Sequence, residues 1–436
     1  MQCVSTRGQA PAVTIDQALL AGLAPDGGLY VPRTIPAVDT HAIVANGRSG
    51  QPTLADTAAR VLAPYFAESR LRAALPDLCA EAFACAAPLR YLRGEGDYVL
   101  ELFHGPTAAF KDYAARFLAG ALQRLRAPDA PDTTILVATS GDTGAAVASA
   151  FHQRPGFRVV ILYPHGKVSP RQAHGLECWG DNVRALRVDG SFDDCQRLVK
   201  TALADDALRR QVVLSSANSI SLGRLLPQIA YHAHAALGFF AQHGAPLNVI
   251  VPTGNLGNAA AAYLARRMGL PIGAIALACN ANAALPRYFA GGAYAPAAAL
   301  ATLANAMDVG APSNFERLRF WCDGDDAPLR AAFTAQSVDD AAIAAAIAAA
   351  PARHDLVPCP HTACGLHMLE TLRAAGDTRP WAVAATAHPA KFEGIVEPLI
   401  GQPVAVPPAL AQCLAQPAHG DVLAADAAAL RAVLTA

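Results

Sequence analysis

Short apolar runs that alternate with helical stretches organise the chain from residue 134 onward. Residues 134–139 form an apolar run rich in branched side chains, and a small turn then leads into the helical stretch 145–151. Near-continuous apolar strands of this kind are typical of parallel sheets that helices cover on both faces. The same order recurs downstream, where the further predicted strands are 159–163, 211–214, 247–251, 272–279 and 381–385.

Helical spacing of apolar side chains begins beside Lys111. Phe110, Ala114 and Phe117 fall on one face of a predicted helix, and Thr107 is its predicted N-cap. Lys111 then lies in the first turn, where the positive end of the helix dipole disfavours an ammonium and lowers the lysine pKa.

The remaining segments suggest how the chain divides. Residues 1–88 contain Pro and Gly breaks without clear alternation, which predicts a separate N-terminal domain followed by a larger region at 89–436. Within that region we expect a smaller α/β subdomain at 133–215, with the remainder forming the larger one. The alanine-rich stretches 283–306 and 341–352 are predicted to be helical, and a capping-box-like start precedes the second.

Composition excludes several classes of partner. A chain of 436 residues with 53% hydrophobic content can bury a large core, and its net charge of −1 gives no broad field for nucleic acid or an anionic membrane. No apolar run approaches the ~20 residues of a membrane span. The ten cysteines contain no CxxC pair, so we expect reduced thiols in the cytoplasm. Cys359, His361 and Cys364 lack the second ligand pair of a zinc site, so we expect no metal.

Lysine is scarce in this chain, because only four of its 34 basic side chains are lysines. A lysine amine can lose its proton and condense with an aldehyde, whereas a guanidinium cannot. Two glycine-containing turns, 140–144 and 254–258, follow predicted strands and present backbone N–H groups to an anion. A cofactor with both an aldehyde and a phosphate would explain these features together. The four lysines are Lys111, Lys167, Lys200 and Lys391.

Eight segments occur in an order that points to one family, namely 4–8, 22–30, 104–112, 138–144, 216–220, 252–258, 309–317 and 386–392. Through them the chain resembles the threonine synthases of the bacterial and fungal subgroup, within the fold-type II pyridoxal phosphate enzymes, along nearly its whole length. The resemblance implies an α/β fold like that of the tryptophan synthase beta subunit, with parallel sheets flanked by helices and an N-terminal threonine-synthase-type domain. It also implies pyridoxal 5′-phosphate as the cofactor.

The resemblance assigns roles to individual residues. Lys111 is expected to form an imine with the cofactor and then to act as general base. Thr386 is expected to face the pyridine nitrogen, where a neutral hydroxyl makes the ring a milder electron sink than a carboxylate would. The expected phosphate cup comprises Gly254, Asn255, Leu256, Gly257 and Asn258.

A loop that grips the substrate carboxylate is implied at residues 140–144. Its candidate contacts are Ser140, Gly141, Asp142 and Thr143. Asp142 stands where many relatives outside the threonine synthases have Asn, and its role stays open, because a carboxylate facing the cofactor's phenolate oxygen is repulsive unless a proton or donor lies between them.

A phosphorylated substrate needs a second anion site, and candidates for it follow from chemistry. Arg224, Lys167 and Arg171, with Asn218 nearby in sequence, could supply it, although a solvated charge or a structural ion pair remains an alternative for each. Lys391 is interpreted as structural. For His104, His165, His361 and His388, which fall within the family-like segments, a hydrogen-bonded structural role is the preferred interpretation, and His104, near Lys111, is the first to test.

The resemblance implies conversion of O-phospho-L-homoserine and water into L-threonine and phosphate, the last step of threonine biosynthesis, by a monomer rather than a homodimer. A phospho-lyase that yields a keto acid and ammonia would need the same lysine and anion site. A protein that only binds a phosphorylated metabolite would instead be colourless and would tolerate loss of Lys111.

Overall fold

Three β-sheets organise this computed structural model, which describes residues 1–40, 43, 52–94 and 96–436. The strands are β1 (Gln2–Ser5), β2 (Val13–Thr14), β3 (Tyr30–Pro32), β4 (Leu89–Tyr91), β5 (Asp97–Glu101), β6 (Thr133–Ala138), β7 (Phe157–Pro164), β8 (Val183–Asp189), β9 (Val213–Ser215), β10 (Leu247–Pro252), β11 (Ile272–Cys279), β12 (Phe333–Ser337), β13 (Trp381–Ala385) and β14 (Gly420–Ala424).

Helices cover both larger sheets. In the described part of the chain they are α1 (Ile15–Ala21), α2 (Leu54–Leu62), α3 (Leu75–Ala82), α4 (Lys111–Leu125), α5 (Asp142–Phe151), α6 (Pro170–Glu177), α7 (Phe192–Ala204), α8 (Asp206–Arg209), α9 (Leu222–Leu225), α10 (Ile229–His243), α11 (Gly257–Arg267), α12 (Ala284–Phe289), α13 (Phe315–Trp321), α14 (Asp326–Ala332), α15 (Asp340–His354), α16 (Pro360–Ala374), α17 (Glu393–Ile400), α18 (Pro408–Leu414) and α19 (Ala427–Thr435).

The two larger sheets have different strand orders. The larger, six-stranded sheet runs β12-β11-β10-β13-β5-β4, parallel except for β4, and the smaller, five-stranded sheet runs β14-β8-β7-β6-β9, parallel throughout. The predicted parallel α/β architecture is therefore confirmed. The N-terminal residues form a small antiparallel sheet in the order β2-β1-β3.

Each strand predicted from an apolar run is present, but other strands were missed. In β8 the apolar run is interrupted by Arg184 and Arg187, which lie on opposite faces of the strand and pair with Asp421 and Glu177 respectively. The chain also returns to the smaller sheet at its C-terminal end, where β14 pairs with β8. The smaller sheet thus includes residues beyond the 133–215 segment.

Two predicted helical features differ from the structure. The stretch 283–306 is α-helical only at α12 and ends at the start of a 3₁₀ helix, Asn305–Met307. The segment between them is held by side-chain hydrogen bonds instead, because Asn282 Nδ2 donates to the Leu300 carbonyl and the Leu300 N–H donates to Asn282 Oδ1. The stretch 341–352 is helical, within α15. Thr107 is not the N-cap of α4, because its hydroxyl donates to Asp112 Oδ1 at 2.6 Å.

Arg317 joins the N-terminal unit to the rest of the molecule. It is fully buried in α13, where its guanidinium donates to the carbonyls of Tyr30 and Ile220 and to Asn314 Oδ1 at 2.6 Å. Burial lowers its pKa to about 9, with Glu316 and Cys3 opposing the shift. One charged side chain therefore satisfies acceptors from three separate segments.

We expect Arg317→Met to lower the free energy of unfolding by about 3 kcal/mol, because it leaves buried carbonyls without a donor. Urea unfolding followed by circular dichroism measures the loss. The control is Arg319→Met on the same helix, where the side chain is 50% exposed and a change below about 0.5 kcal/mol is expected. Equal losses in the two variants would contradict the assignment.

Candidate active site

A cavity of about 1020 Å³ lies between the two larger sheets. The turns that line it follow the carboxyl ends of parallel strands: residues 139–143 follow β6, residues 253–258 follow β10, and Thr386 follows β13. Such ends are where α/β proteins hold ligands. The predicted site residues that line the cavity are Lys111, Ser140, Asp142, Thr143, Asn218, Arg224, Gly254, Asn255, Leu256, Gly257, Asn258 and Thr386.

Lys111 begins α4 and lines this cavity. The chain before it is held against the segment after β13, since the Phe110 N–H donates to the Thr386 carbonyl at 2.9 Å and the His388 N–H donates to Ala108 at 3.0 Å. Ala108 adopts a left-handed φ of 53°, a strained conformation that the surrounding bonds maintain. The lysine is thus placed by contacts on both sides of it.

The pKa of Lys111 is lowered to about 8, chiefly because the surrounding protein removes its amine from bulk water. Asp142 opposes this shift, and the positive charges of Lys391 and Arg224 add to it. The side chain keeps partial exposure where it faces the cavity. A substantial fraction of the amine is therefore neutral near pH 8, as a nucleophile or base requires.

Asp142 forms a buried ion pair with Lys391, which sequence reasoning did not foresee. The Lys391 Nζ lies 2.7 Å from Asp142 Oδ1, and the two side chains are only 3% and 4% exposed. The ammonium also donates to the Thr107 carbonyl at 2.8 Å, and Gln172 Nε2 donates to Asp142 at 3.2 Å. Burial alone would raise the pKa of Asp142, but Lys391, then Lys111 and His361, hold it well below its usual range.

The turn at residues 254–258 carries a donor without a partner. Asn258, in the first turn of α11, accepts from His232 Nε2 at 2.6 Å through its Oδ1 atom, which leaves its buried Nδ2 atom unpaired. Burial lowers the pKa of His232 to about 4, so this ring is neutral. The bond fixes the amide with its N–H₂ group free to donate.

The backbone of the same turn is shaped for a close approach. Leu256 has a left-handed φ of 62° just before α11 begins, and a Cβ on Gly254 would meet the Met307 backbone at 2.8 Å. Ser313 and Asn314 hold the turn from outside, where Asn314 Nδ2 donates to the Asn255 carbonyl at 2.9 Å. Helix start and unpaired amide together suit a phosphate group.

A second group of unpartnered polar atoms surrounds Arg224. This guanidinium is 4% exposed and donates to the Ala217 carbonyl at 2.7 Å, while its Nε atom has no partner. Burial lowers its pKa to about 10, opposed by Asp112 and Tyr231. The nearby Ser221 Oγ and Asn218 Oδ1 atoms are also buried without partners. Within the described residues, no carboxylate lies within ion-pair distance of Arg224.

Four expected residues lie elsewhere. Lys167 is exposed and does not line the cavity, and Arg171 bonds the Ala390 carbonyl and lies 3.6 Å from Glu393. His104 pairs with Glu101 at 2.9 Å, outside the cavity. Gly141 packs behind the cavity wall, where a Cβ would meet Gln172 Nε2 at 2.6 Å.

His361 lines the cavity, although sequence reasoning preferred a structural role for it. Its Nε2 atom accepts from the Ala306 N–H at 3.1 Å, so its proton is on Nδ1. Burial lowers its pKa to about 4, with Asp142 opposing. Only long-range packing brings it here, because it starts α16 beside Cys359, far along the chain from Lys111. Among the described residues, no group of three or more metal-ligating side chains is found.

Family models cover nearly the whole chain. A model described as pyridoxal-phosphate dependent enzyme matches residues 90–389, one described as threonine synthase N terminus matches 2–83, and one described as threonine synthase, C-terminal, matches 362–434. In the described residues, no helix combines the length and apolarity that a membrane crossing requires.

Individual proteins match over their full length. Threonine synthase of Pseudomonas aeruginosa is 36% identical, with 100% of this chain and 98% of that protein covered, and threonine synthase of Haemophilus influenzae is 38% identical, with 97% and 96% covered. The crystal structure of pyridoxal-phosphate-bound threonine synthase from Brucella melitensis aligns with a TM-score of 0.90 at 35% identity, covering 100% of this chain and 99% of that one.

The ion pair between Asp142 and Lys391 leads to a testable prediction. We expect Lys391→Met to lower the free energy of unfolding by about 3–5 kcal/mol, because it leaves a buried carboxylate unpaired. The double variant with Asp142→Asn is expected to recover part of that loss. Urea unfolding of the single and double variants measures the coupling.

The control is the exposed pair between Arg184 and Asp421, whose side chains are 45% and 58% exposed. Removing it with Arg184→Met is expected to cost under about 1 kcal/mol. A double variant at Asp142 and Lys391 that loses the simple sum of the two single losses would show that the charges do not interact.

Proposed function

The chain belongs to the threonine synthase family of pyridoxal-phosphate-dependent enzymes, and from that premise we propose the part that its own residues take in converting O-phospho-L-homoserine and water into L-threonine and phosphate. The observation that carries the proposal is the Lys111 amine, with its pKa lowered to about 8, in a cavity beside two separate groups of unpaired polar atoms. A substrate and a cofactor that each bear a phosphate require two such groups.

When bound, pyridoxal phosphate supplies an electron-withdrawing ring that disperses the negative charge left when a proton leaves the substrate. Lys111 would supply the amine that condenses with its aldehyde, and the turn at Gly254, Asn255, Leu256, Gly257 and Asn258 would hold its phosphate through backbone N–H groups and Asn258 Nδ2. Thr386, which is buried directly after β13 and lines the cavity, would face the pyridine nitrogen with its hydroxyl. The helix start and the neutral His232 support this assignment.

Lys111 Nζ moves the protons of the reaction. Because its pKa is about 8, it can accept a proton from the substrate Cα and return one later without a large energetic penalty at neutral pH. The same atom serves at both stages, because the pKa of Asp142 is held well below its usual range and that carboxylate stays ionised. His361, with its pKa near 4, stays neutral and orients the loop at Ala306.

Arg224 is proposed to hold the substrate phosphate, and Asn218, which lines the cavity but whose unpaired Oδ1 atom can only accept, is proposed to contact a donor group of the substrate. A buried guanidinium that lacks a carboxylate partner gains most from a dianionic ligand, since such bonds are charge-assisted. Ser140 and Thr143, at the start of α5, are proposed to hold the substrate carboxylate through hydroxyl and backbone donors. Lys167 and Arg171, which lie outside the cavity, are left out of this proposal.

Asp142 is proposed to position the substrate loop rather than to exchange protons. Its charge is committed to Lys391 and its pKa is held well below the usual range, so it stays ionised at neutral pH. The pair joins the loop after β6 to the segment after β13 and thereby draws the two subdomains together around Lys111. Substrate binding is proposed to tighten this closure and to exclude water until the hydration step.

The proposal also includes the oligomeric state, the cellular location and the domain boundaries. We expect the enzyme to be a monomer, to act in the cytoplasm, where its ten free thiols stay reduced, and to divide into domains at 1–88 and 89–436. Light scattering of the purified protein tests the first of these statements.

We expect purified enzyme to form threonine and phosphate in equal amounts from O-phospho-L-homoserine, and Lys111→Ala to lose both this activity and the covalent cofactor. Borohydride should fix the cofactor on the peptide that contains Lys111.

The rate at which cofactor-free enzyme binds the cofactor covalently should rise about tenfold per pH unit below pH 8 and level off above it, since only the neutral amine reacts. Lys167→Ala, at an exposed lysine that does not line the cavity, is the control and should behave as the unaltered enzyme does. A keto acid formed without threonine would instead identify a phospho-lyase.

Arg224→Gln is expected to lower kcat/KM for the phosphorylated substrate roughly 10–100-fold, mainly through KM, because one charge-assisted contact is lost. Retention of the cofactor, measured by its absorbance, should be unchanged. Lys167→Gln removes an exposed cation outside the cavity and is expected to alter neither quantity. If Lys167→Gln raised KM while Arg224→Gln did not, the phosphate subsite would have to be reassigned.

A further inference from the structure

Cys178 and Cys413, here called the thiol pair, lie in direct contact although they are far apart in sequence. Their Sγ atoms are 2.9 Å apart. Cys178 follows the last residue of α6, its own N–H bonded to the His174 carbonyl at 3.0 Å, and Cys413 lies in α18, which packs against α6. Two thiols at this separation need only a small rotation to bond covalently.

The contact is held by its surroundings. His174 Nε2 donates to the Cys413 carbonyl at 3.2 Å, which fixes α18 against α6 one helical turn before Cys178. Trp179 Nε1 in turn donates to the Gly175 carbonyl at 2.9 Å, closing the end of α6. Both backbones are thus restrained where the sulfur atoms meet.

The thiol pair is also more accessible than most thiols of this chain. Cys178 is 8% and Cys413 is 9% exposed, whereas the deeply buried cysteines are 0–1% exposed. The thiol pair therefore lies nearer the protein surface than the deeply buried cysteines do. The deeply buried cysteines are Cys3, Cys79, Cys195, Cys279, Cys359 and Cys364.

The two sulfur atoms differ chemically. A hydrogen bond from the Cys178 thiol is the main cause that lowers the pKa of Cys413; burial opposes it, and the charge of Lys391 adds to it. The same bond, with burial, raises the pKa of Cys178. Cys413 is accordingly the better nucleophile of the two, because the thiolate is the reactive form.

We propose that the thiol pair is a redox modification site, at which a hydroperoxide converts Cys178 and Cys413 into a reversible disulfide. The Cys413 thiolate attacks one peroxide oxygen, the O–O bond breaks, and hydroxide leaves. The Cys178 sulfur then attacks the sulfenic acid so formed, the S–S bond forms, and water leaves. Two thiols lose two electrons in total, and hydrogen peroxide is reduced to two molecules of water.

The disulfide would form on a helix that also contacts the residues beside the cavity. Its partner helix α6 carries Gln172, which donates to Asp142, and Ser169 at its N-cap donates to the Lys391 carbonyl at 2.8 Å. Cys413 also shares a small crevice with Gln172 and Lys391. Oxidation would therefore link α18 covalently to the end of α6, the helix whose residues contact both Asp142 and Lys391.

The test treats native holoenzyme with hydrogen peroxide, blocks the remaining thiols by alkylation and maps the tryptic peptides by mass. Trypsin cuts after Arg171, Arg184, Lys391 and Arg431, so each cysteine of the pair falls in a peptide that has no other cysteine. We expect the two peptides joined, lighter by two hydrogen atoms, and separated again by dithiothreitol. Cys178→Ser and Cys413→Ser should each abolish the joined peptide, and Cys322→Ser, at a 7% exposed thiol, should leave it unchanged.

A second arm identifies the attacking sulfur. In Cys178→Ser the sulfenic acid has no partner, so dimedone is expected to label Cys413. Cys85, which is partly exposed, serves as an internal measure of oxidation. The proposal is overturned if Cys85 is oxidised while both thiols of the pair remain open to alkylation, or if the joined peptide forms only after the protein is unfolded in urea.

Discussion

The buried ion pair between Asp142 and Lys391 is the constraint on which the site depends. Taking two charges out of water is costly, and the cost is offset only when each has further hydrogen bonds, as Gln172 and the Thr107 carbonyl provide here. The pair fastens the loop of the smaller subdomain to the segment after β13. It also surrounds Lys111 with one negative and one positive charge, whose opposed effects leave burial as the main determinant of its pKa.

Helix α6 connects this constraint to the rest of the smaller subdomain. Its N-terminal residues bond the backbone carbonyls at Ala390 and Lys391, and Gln172 reaches Asp142 from one side and Asn305 from the other at 3.0 Å. The opposite end of α6 carries the thiol pair. A single short helix thus contacts the ion pair, the loop beside the cavity and the segment that returns to the smaller sheet.

The two proposed anion sites contain little positive charge. In the proposed phosphate cup, the donors are the backbone N–H groups at a helix start and the uncharged Asn258 amide, which the neutral His232 orients. In the second group, one guanidinium is buried beside two unpaired side-chain atoms. The small number of positive charges at these sites agrees with a net charge of −1, because local geometry rather than an overall electrostatic field would attract the ligand.

Sequence by itself determined the features that depend on neighbouring residues. The apolar strands, the turns after β6 and β10 and the place of Lys111 at a helix start follow from local patterns, and the order of motifs identified the family. The local prediction was wrong where another side chain forms a hydrogen bond with the same hydroxyl or backbone group. Thr107 does not cap α4, because its hydroxyl bonds Asp112 instead. The stretch after α12 is not α-helical, because Asn282 bonds the backbone of Leu300.

Only the tertiary structure decided which charged and polar side chains meet. It gave Asp142 its partner Lys391, brought His361 to the cavity, placed Arg171 against Glu393, and set Cys413 beside Cys178. The physical reason is that these contacts join residues far apart along the chain, where pairing is fixed by packing of whole subdomains. Periodicity and spacing report what a segment prefers on its own, and they carry no information about which distant group will be buried next to it.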